Sequence, residues 1–345
     1  MSEISPTLYT APNKDVFEIG LFNSSDAEGV VELFLSVYGE RYPVKIFYDP
    51  HALTDANLSG QIVTTVARNS EGGVVGVHNL FRSAPYERIY EWGAGLVLKA
   101  YRNLGLSNAN GHFSMHRVVP LRDDIEEIYG EAVCYHVALQ KAMLVFSAVE
   151  TALEVALMPG EAYEMESFAG KRVATLFGSM NCRKRPQAIY VPQVYEAQLK
   201  YIYEDYPDKR YMKHCEENVP AYAKTSSDMA IFDFANVSRL AFHDIGQDFE
   251  TELDRLEAQA LEGNSVIIQA WLKLTTPWLD FAVKILRGRG YFLGGVLPRW
   301  FNDDGLLLQK ILVDPEFETI QLYNQKARHI LEMVREDWAA VGMRQ

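Results

Sequence analysis

The stretch Glu91-Trp92-Gly93-Ala94-Gly95-Leu96-Val97-Leu98-Lys99-Ala100-Tyr101-Arg102-Asn103-Leu104-Gly105-Leu106-Ser107-Asn108 decides how this chain folds. Residues 90–98 are aromatic and apolar and read as a strand. Gly, Asn and Ser then crowd into residues 99–110, where a strand gives way to a turn and a helix begins. Gly105 permits a tight turn and a close approach of backbone to ligand. Ser107 is small, so the helix can start without crowding a guest. The first N–H groups of a helix have no partner within it, and the helix dipole favours an anion there. A pyrophosphate suits such a place.

Upstream, residues 1–14 are polar and contain Pro6 and Pro12, which predicts a loose arm. A short strand is expected at 16–22. Ser24, Ser25 and Asp26 offer N-caps for a helix at 27–37, whose apolar residues Val30, Val31, Phe34, Leu35 and Val37 are spaced for one face. The aromatic, proline-broken segment 38–57 reads as a loop flanking a pocket. Strands follow at 62–68 and 73–81, joined by the turn Ser70-Glu71-Gly72-Gly73. Downstream of the opening stretch come a strand at 126–133, a helix at 136–146 and a strand at 149–157. The order is strand, helix, three strands, helix, strand, helix, strand. This is an α/β arrangement with a mixed sheet, not the strict alternation of a dinucleotide-binding fold.

The second half gives strands at 171–180, 188–192 and 229–242, and helices at 193–203 and 248–261. Further strands fall at 265–274, 291–297 and 305–312, with helices at 278–286 and 315–340. Residues 207–227 read as a surface loop or short helices. The succession strand, helix, strand, proline occurs twice, ending at Pro159 and at Pro298. Either such units simply recur, as they do in α/β proteins, or a domain has been duplicated and its second copy has diverged.

Composition bounds the function classes. The chain has 345 residues, enough for two domains, with 48% hydrophobic and 23% charged residues, an ordinary soluble balance. A formal net charge of −13 argues against nucleic acid and anionic membranes as bulk partners. No apolar run of transmembrane length and no signal-peptide core occurs. Cys134, Cys182 and Cys215 are scattered and odd in number, which suggests neither a disulfide framework nor a zinc site and fits a cytoplasmic location.

Arg102-Asn103-Leu104-Gly105-Leu106-Ser107 resembles the Arg/Gln-x-x-Gly-x-Gly/Ala signature of the GNAT acyltransferase superfamily, with Ser107 departing from Gly/Ala but staying small. The element order around it is similar to that family's over about residues 16–158. The resemblance implies a GNAT-type fold: a mixed, mainly antiparallel sheet flanked by helices. It implies tandem GNAT-like domains, the first at 15–165 and a degenerate second at 166–345, where Gly246-Gln247-Asp248 replaces the signature. It implies acetyl-CoA, or another acyl-CoA, as co-substrate and no metal. The amides of Arg102, Asn103, Leu104, Gly105, Leu106 and Ser107 would hold the pyrophosphate. The backbone of Leu96, Val97 and Leu98 would hold the pantetheine arm, with an N–H near Val97 or Leu98 for the oxyanion.

Transfer from a thioester to an amine needs a base, oxyanion stabilisation and a proton for the leaving thiolate. Glu91 is the expected base, its pKa raised by Tyr90 and Trp92. Glu131 and His136 form a second catalytic pair. The helix tyrosine that protonates the thiolate in many GNAT members is replaced by Met143, which leaves Tyr135, Cys134 or water. His112 and His116 lack a third ligand for a metal. Arg183-Lys184-Arg185 reads as a solvated turn, and Trp271, Trp278, Trp300 and Tyr291 as core. Tyr38, Tyr42, Phe47 and Tyr48 sit where the family places its acceptor loop.

The expected function is N-acylation, chiefly acetylation, of a small-molecule amine, with room for a homodimer. The rival is a non-catalytic acyl-CoA sensor, motivated by Met143. An aminoacyl-tRNA donor is disfavoured by the acidic surface.

Overall fold

Ile-Val-Thr-Thr-Val-Ala-Arg at 62–68 is the centre from which the first unit grows. The run is rich in β-branched residues, and all seven positions are buried. Residues of a strand face opposite sides alternately, so a strand buried at every position needs layers on both faces. The computed structural model describes residues 4–40, 42, 44–160 and 171–342, and its contacts divide the chain into Met1–Tyr129 and Gly130–Gln345.

In the first unit, strands β1 (Thr7–Thr10), β2 (Val16–Leu21), β3 (Ile62–Arg68), β4 (Val74–Phe81) and β5 (Ile89–Val97) pair in sequence order, all antiparallel. The start of β6 (Glu127–Val133) adds to β5 in parallel, from Ile89↔Glu127 to Glu91↔Tyr129. Helices α1 (Ala27–Tyr38) and α2 (Pro50–Ser59) bury Val30, Leu33, Phe34 and Leu53 against Ile62, Val66, Val77 and Leu96. Helix α3 (Leu106–Phe113) packs on β2 through β5. At the entry to α1, Asn23 and Asp26 form a capping box, and the same Asp26 carboxylate takes Arg68 in a buried pair of 2.6 Å. Glu18 completes the guanidinium's shell at 3.0 Å.

In the second unit, α4 (Ala138–Val145), β7 (Val149–Pro159) and β8 (Arg172–Asn181) come first. They are followed by β9 (Gln187–Val191), α5 (Glu196–Glu204) and β10 (Arg210–His214), with β9 and β10 forming a small parallel pair. Then come β11 (Ser226–Phe232), β12 (Val237–Asp244), α6 (Phe249–Glu262), β13 (Ile267–Lys273), α7 (Leu279–Gly288), β14 (Phe292–Leu297), β15 (Gly305–Ile311) and α8 (Gln325–Gly342). Strand order reads β6-β8-β7-β14-β15-β13-β12-β11. In this part of the sheet β12 runs parallel to β13, while β7 with β8, β7 with β14, β14 with β15, β13 with β15 and β11 with β12 are antiparallel. Gly295 on β14 sits at φ +132°, and a Cβ there would fall 2.3 Å from the Thr151 carbonyl, so a glycine is required where β7 passes. Asp337 of α8 accepts hydrogen bonds from Tyr195 and from the Leu293 N–H, both at 2.8 Å, and pairs with Arg287.

The two strand–helix–strand successions are the same topology. After the first, β8 inserts between β6 and β7; after the second, β15 inserts between β13 and β14. Each is preceded by its one parallel pair, β5 with β6 and β12 with β13. This is a GNAT-type mixed, mainly antiparallel sheet, and the order from β11 to β15 repeats that from β4 to β8.

Some expectations are corrected. Residues 7–10 are not a loose arm but an edge strand, because β2 offers an unpaired edge. The stretch 38–57 contains α2, started by Asp49, whose carboxylate accepts from the N–H groups of His51 and Ala52, with Pro50 at the first helical position. The strand at 229–242 is a hairpin broken at Asn236 in the left-handed region. Residues 207–227 include β10. The last helix begins at Gln325, since Pro315–Asn324 packs as a 3-10 turn and extended chain. By its contacts the chain divides inside β6; β7 pairs with β8, and Gln309 of β15 bonds the β7 backbone at Leu153 and Val155. Among the described residues no helix is long and apolar enough to cross a membrane.

Removing one partner of a buried ion pair leaves the other charge uncompensated. Asp26→Ala is expected to lower unfolding free energy by about 3 kcal/mol, measured by urea denaturation.

Candidate functional site

A strand that must hydrogen-bond on one edge and open a cleft on the other needs a break in its register, and β5 has one. Val77 pairs with Leu96 but Asn79 pairs with Gly93, so an extra residue sits in β5 at Ala94, whose φ is +48°. Buried Asn79 holds the bulge: its Nδ2 donates to the Ala94 carbonyl at 2.8 Å, and its Oδ1 accepts from Thr64 at 2.7 Å. Beyond the bulge the Leu98 N–H donates to the Val75 carbonyl at 2.9 Å. Since N–H directions alternate along a strand, the Val97 N–H turns away from β4.

After β5 a short 3-10 turn leads through Asn103 (φ +66°) and Gly105 (φ +83°) into α3. No side chain caps this helix. A cleft of about 500 Å³ opens here. Its walls are Gly95, Leu96 and Val97 of β5, Arg102, Asn103 and Gly105 of the loop, the first turn Leu106, Ser107 and Asn108, and Val37 and Tyr38 from the end of α1. Seven of the nine expected binding residues therefore meet in one cavity. Leu98 and Leu104 lie outside its walls, and Leu98 cannot serve an oxyanion because its N–H is spent on β4. The uncapped first turn and the left-handed Gly105 suit a pyrophosphate, and the β5 edge suits an amide-bearing arm.

At the start of the second-copy equivalent, α6, the surroundings are the opposite. Asp248 accepts from the Thr225 N–H at 2.9 Å, Glu250 and Glu252 occupy the first turn, and a Cβ on Gly246 would collide with the 223–224 backbone at 2.5 Å. Negative side chains and packed chain fill the place an anion would take.

Glu91 lies on β5 before the bulge. Its Oε2 accepts from Ser83 at 2.8 Å and from Tyr129 at 3.1 Å, and the two hydroxyls also contact each other. Tyr90 and Trp92 do not supply the expected apolar surroundings, because they are its neighbours along a strand and face the other side. Tyr90 bonds Asp124 at 2.9 Å, and the Trp92 indole donates to Nδ1 of His78 at 3.1 Å. Glu131 is bound to Arg239 at 3.3 Å, which also faces Glu154 at 3.5 Å and Gln269 at 2.9 Å. His136 accepts from the Ala138 N–H at the start of α4 and meets the Tyr135 ring edge-on at 4.4 Å. Glu91 is in the first unit; Glu131 and His136 are in the second, Glu131 as part of an ionic network and His136 as a helix-start contact. Met143 is buried, with its terminal methyl against Gly178 of β8, so its side chain fills core. Cys134 is buried too, and burial raises its thiol pKa well above the usual range.

The aromatic segment after α1 packs on itself: Phe34 stacks on Phe47 at 4.3 Å, and Tyr42 lies 4.9 Å from Tyr38. Trp271 meets Trp300 edge-on at 5.0 Å, both buried, as core residues do. His112 and His116 lie 5.0 Å apart, and among the described residues no group of three or more His, Cys, Asp or Glu could hold a metal. Tyr9, Asn79, Ser83 and Tyr129 carry no local motif. Only the pairing of distant strands reveals them.

No family model matches the chain, and no curated protein matches it. It is similar to solved structures. The ribosomal-protein-S5-alanine acetyltransferase from Vibrio fischeri is 12% identical over 48% of this chain and 92% of that one, with a TM-score of 0.38. An N-acetyltransferase from Staphylococcus aureus Mu50 is 12% identical over 48% and 99%, with a TM-score of 0.38. The ribosomal-protein-S18-alanine N-acetyltransferase from Escherichia coli is 9% identical over 49% and 96%, with a TM-score of 0.38.

His78 sits under the bulge, and burial pushes its pKa down from 6.5 to about 3. The unfolded chain therefore takes this proton first, so the stability it contributes is complete above about pH 6.5 and is lost as pH falls toward 3. From about pH 6 to about pH 5 the wild type should lose roughly 1 kcal/mol more than His78→Asn, read by urea denaturation at each pH. The order of strands, the parallel pairs β5 with β6 and β12 with β13, and the strand–turn–helix at residue 105 together make this a GNAT-type fold.

Proposed function

We propose that the chain is an acyl-CoA-dependent N-acyltransferase, in the first place an acetyltransferase, acting on the amine of a small molecule. The observation that carries this is the 500 Å³ cleft, in which the bulged end of β5 and the uncapped start of α3 converge on Gly105. The loop amides and Arg102, whose Nε reaches back to the Val97 carbonyl at 3.3 Å, would hold the diphosphate. The thioester supplies the acyl group. The Val97 N–H is the remaining candidate for the oxyanion.

Glu91 takes the amine proton, directly or through water, with Ser83 and Tyr129 fixing its carboxylate. β5 bulges at Ala94 between Glu91 and Val97, so they lie closer than the roughly 20 Å that six residues of regular strand would span, and water carries the proton over what remains. Glu131, held by Arg239, is left a positioning role at most. The aromatic wall around Tyr38 favours an acceptor with an apolar or aromatic body.

The packing of Met143 favours one second reading, a non-catalytic acyl-CoA binder. Calorimetric titration with acetyl-CoA and thiol release across a panel of primary amines separate the cases. Binding with release supports the enzyme, binding without release supports the binder, and absence of submillimolar binding ends both. In the enzyme, Glu91→Gln should lower kcat about 10²–10⁴-fold and leave the Kd for CoA unchanged.

A further inference from the structure

Left-handed residues in a loop persist where the surroundings hold them, and α3 begins after two of them without a side-chain cap. What holds this loop comes from 95 positions away. The Tyr9 hydroxyl donates to the Leu104 carbonyl at 2.9 Å. That carbonyl belongs to the peptide joining Leu104 to Gly105. In a planar trans peptide the C=O and N–H point in opposite directions. Fixing the carbonyl toward Tyr9 therefore aims the Gly105 N–H away from it.

The cavities on the two sides agree with this. Tyr9 lines a hollow of about 420 Å³ with Gly105, Asn108 and Phe113. Gly105 and Asn108 also line the 500 Å³ cleft, which Tyr9 does not reach. The loop is thus a thin wall with the phenol behind it and the cleft in front. Contact is close enough that a Cβ on Gly105 would stand 2.3 Å from the Tyr9 oxygen.

The strand that carries Tyr9 is weakly anchored. β1 has four residues, lies at the edge of its sheet and pairs only with β2, and Leu8 beside Tyr9 is 76% exposed. We propose that Tyr9 is the positioning residue of the phosphate loop and that β1 is its latch. The phenol holds the Gly105 N–H toward the bound diphosphate, and because linkage is reciprocal, the diphosphate in turn holds β1 in place. The proposal rests on the acyl-CoA reading above.

The test compares wild type with Tyr9→Phe, which keeps the ring and loses only the hydroxyl. Calorimetry with CoA should show roughly three- to tenfold weaker binding for the variant, the value of one neutral hydrogen bond. Pantetheine, which lacks the diphosphate, should bind both proteins equally, and the melting temperature should barely move. Equal CoA affinity, or equal losses for CoA and pantetheine, overturns the latch while leaving the acyl-CoA reading intact. A wild type that binds no CoA overturns both. If the variant fails to fold, hydrogen exchange on wild type decides: backbone amides at 7–10 should slow on CoA addition, and unchanged exchange overturns the latch.

Discussion

The site depends on one hydrogen bond, from the buried Asn79 side chain to the half-buried Ala94 carbonyl. A regular β5 would continue its ladder without interruption and present the same face throughout. The extra residue at Ala94 resets the strand, and Asn79 satisfies the carbonyl that the bulge removes from the ladder. Glu91 before the bulge and Gly95 to Val97 after it can therefore do different things. The first carries a carboxylate with two hydroxyl donors, and the second forms a cleft wall.

The two strand–helix–strand successions differ at one helix start. Both have a parallel strand pair with a helix before the second strand. In the first, the helix opens on Gly105 with its N–H groups bare toward the cleft. In the second, Asp248, Glu250 and Glu252 supply the negative charge and the 223–225 backbone closes the space. The same dipole is met by a cleft in one case and by the protein's own carboxylates in the other.

Chemistry-bearing residues fared differently according to how local their evidence was. The signature around Gly105 depends on neighbours in sequence, and the structure gathers it into one cavity. Glu91 is legible as a strand-end acid, but its partners Ser83 and Tyr129 are not, since they lie 8 and 38 positions from it. Its neighbours in sequence do not report its surroundings, because adjacent residues on a strand face opposite ways. Met143 was noticed only as a missing hydroxyl; its burial against Gly178 shows that the position serves packing.

The sequence by itself determined the strands and helices between residues 62 and 157, the strand-to-helix turn at Gly105 and the acidic helix start at Asp248. Each of these is written in hydrophobic period, turn residues and helix-start charge over fewer than twenty positions. Tertiary structure decided that the first residues are a strand, that Tyr9 backs the phosphate loop, that Asn79 kinks β5 and that Glu131 is bound to Arg239. These contacts join residues up to 108 positions apart, and no local preference of the chain encodes a partner that only folding brings near.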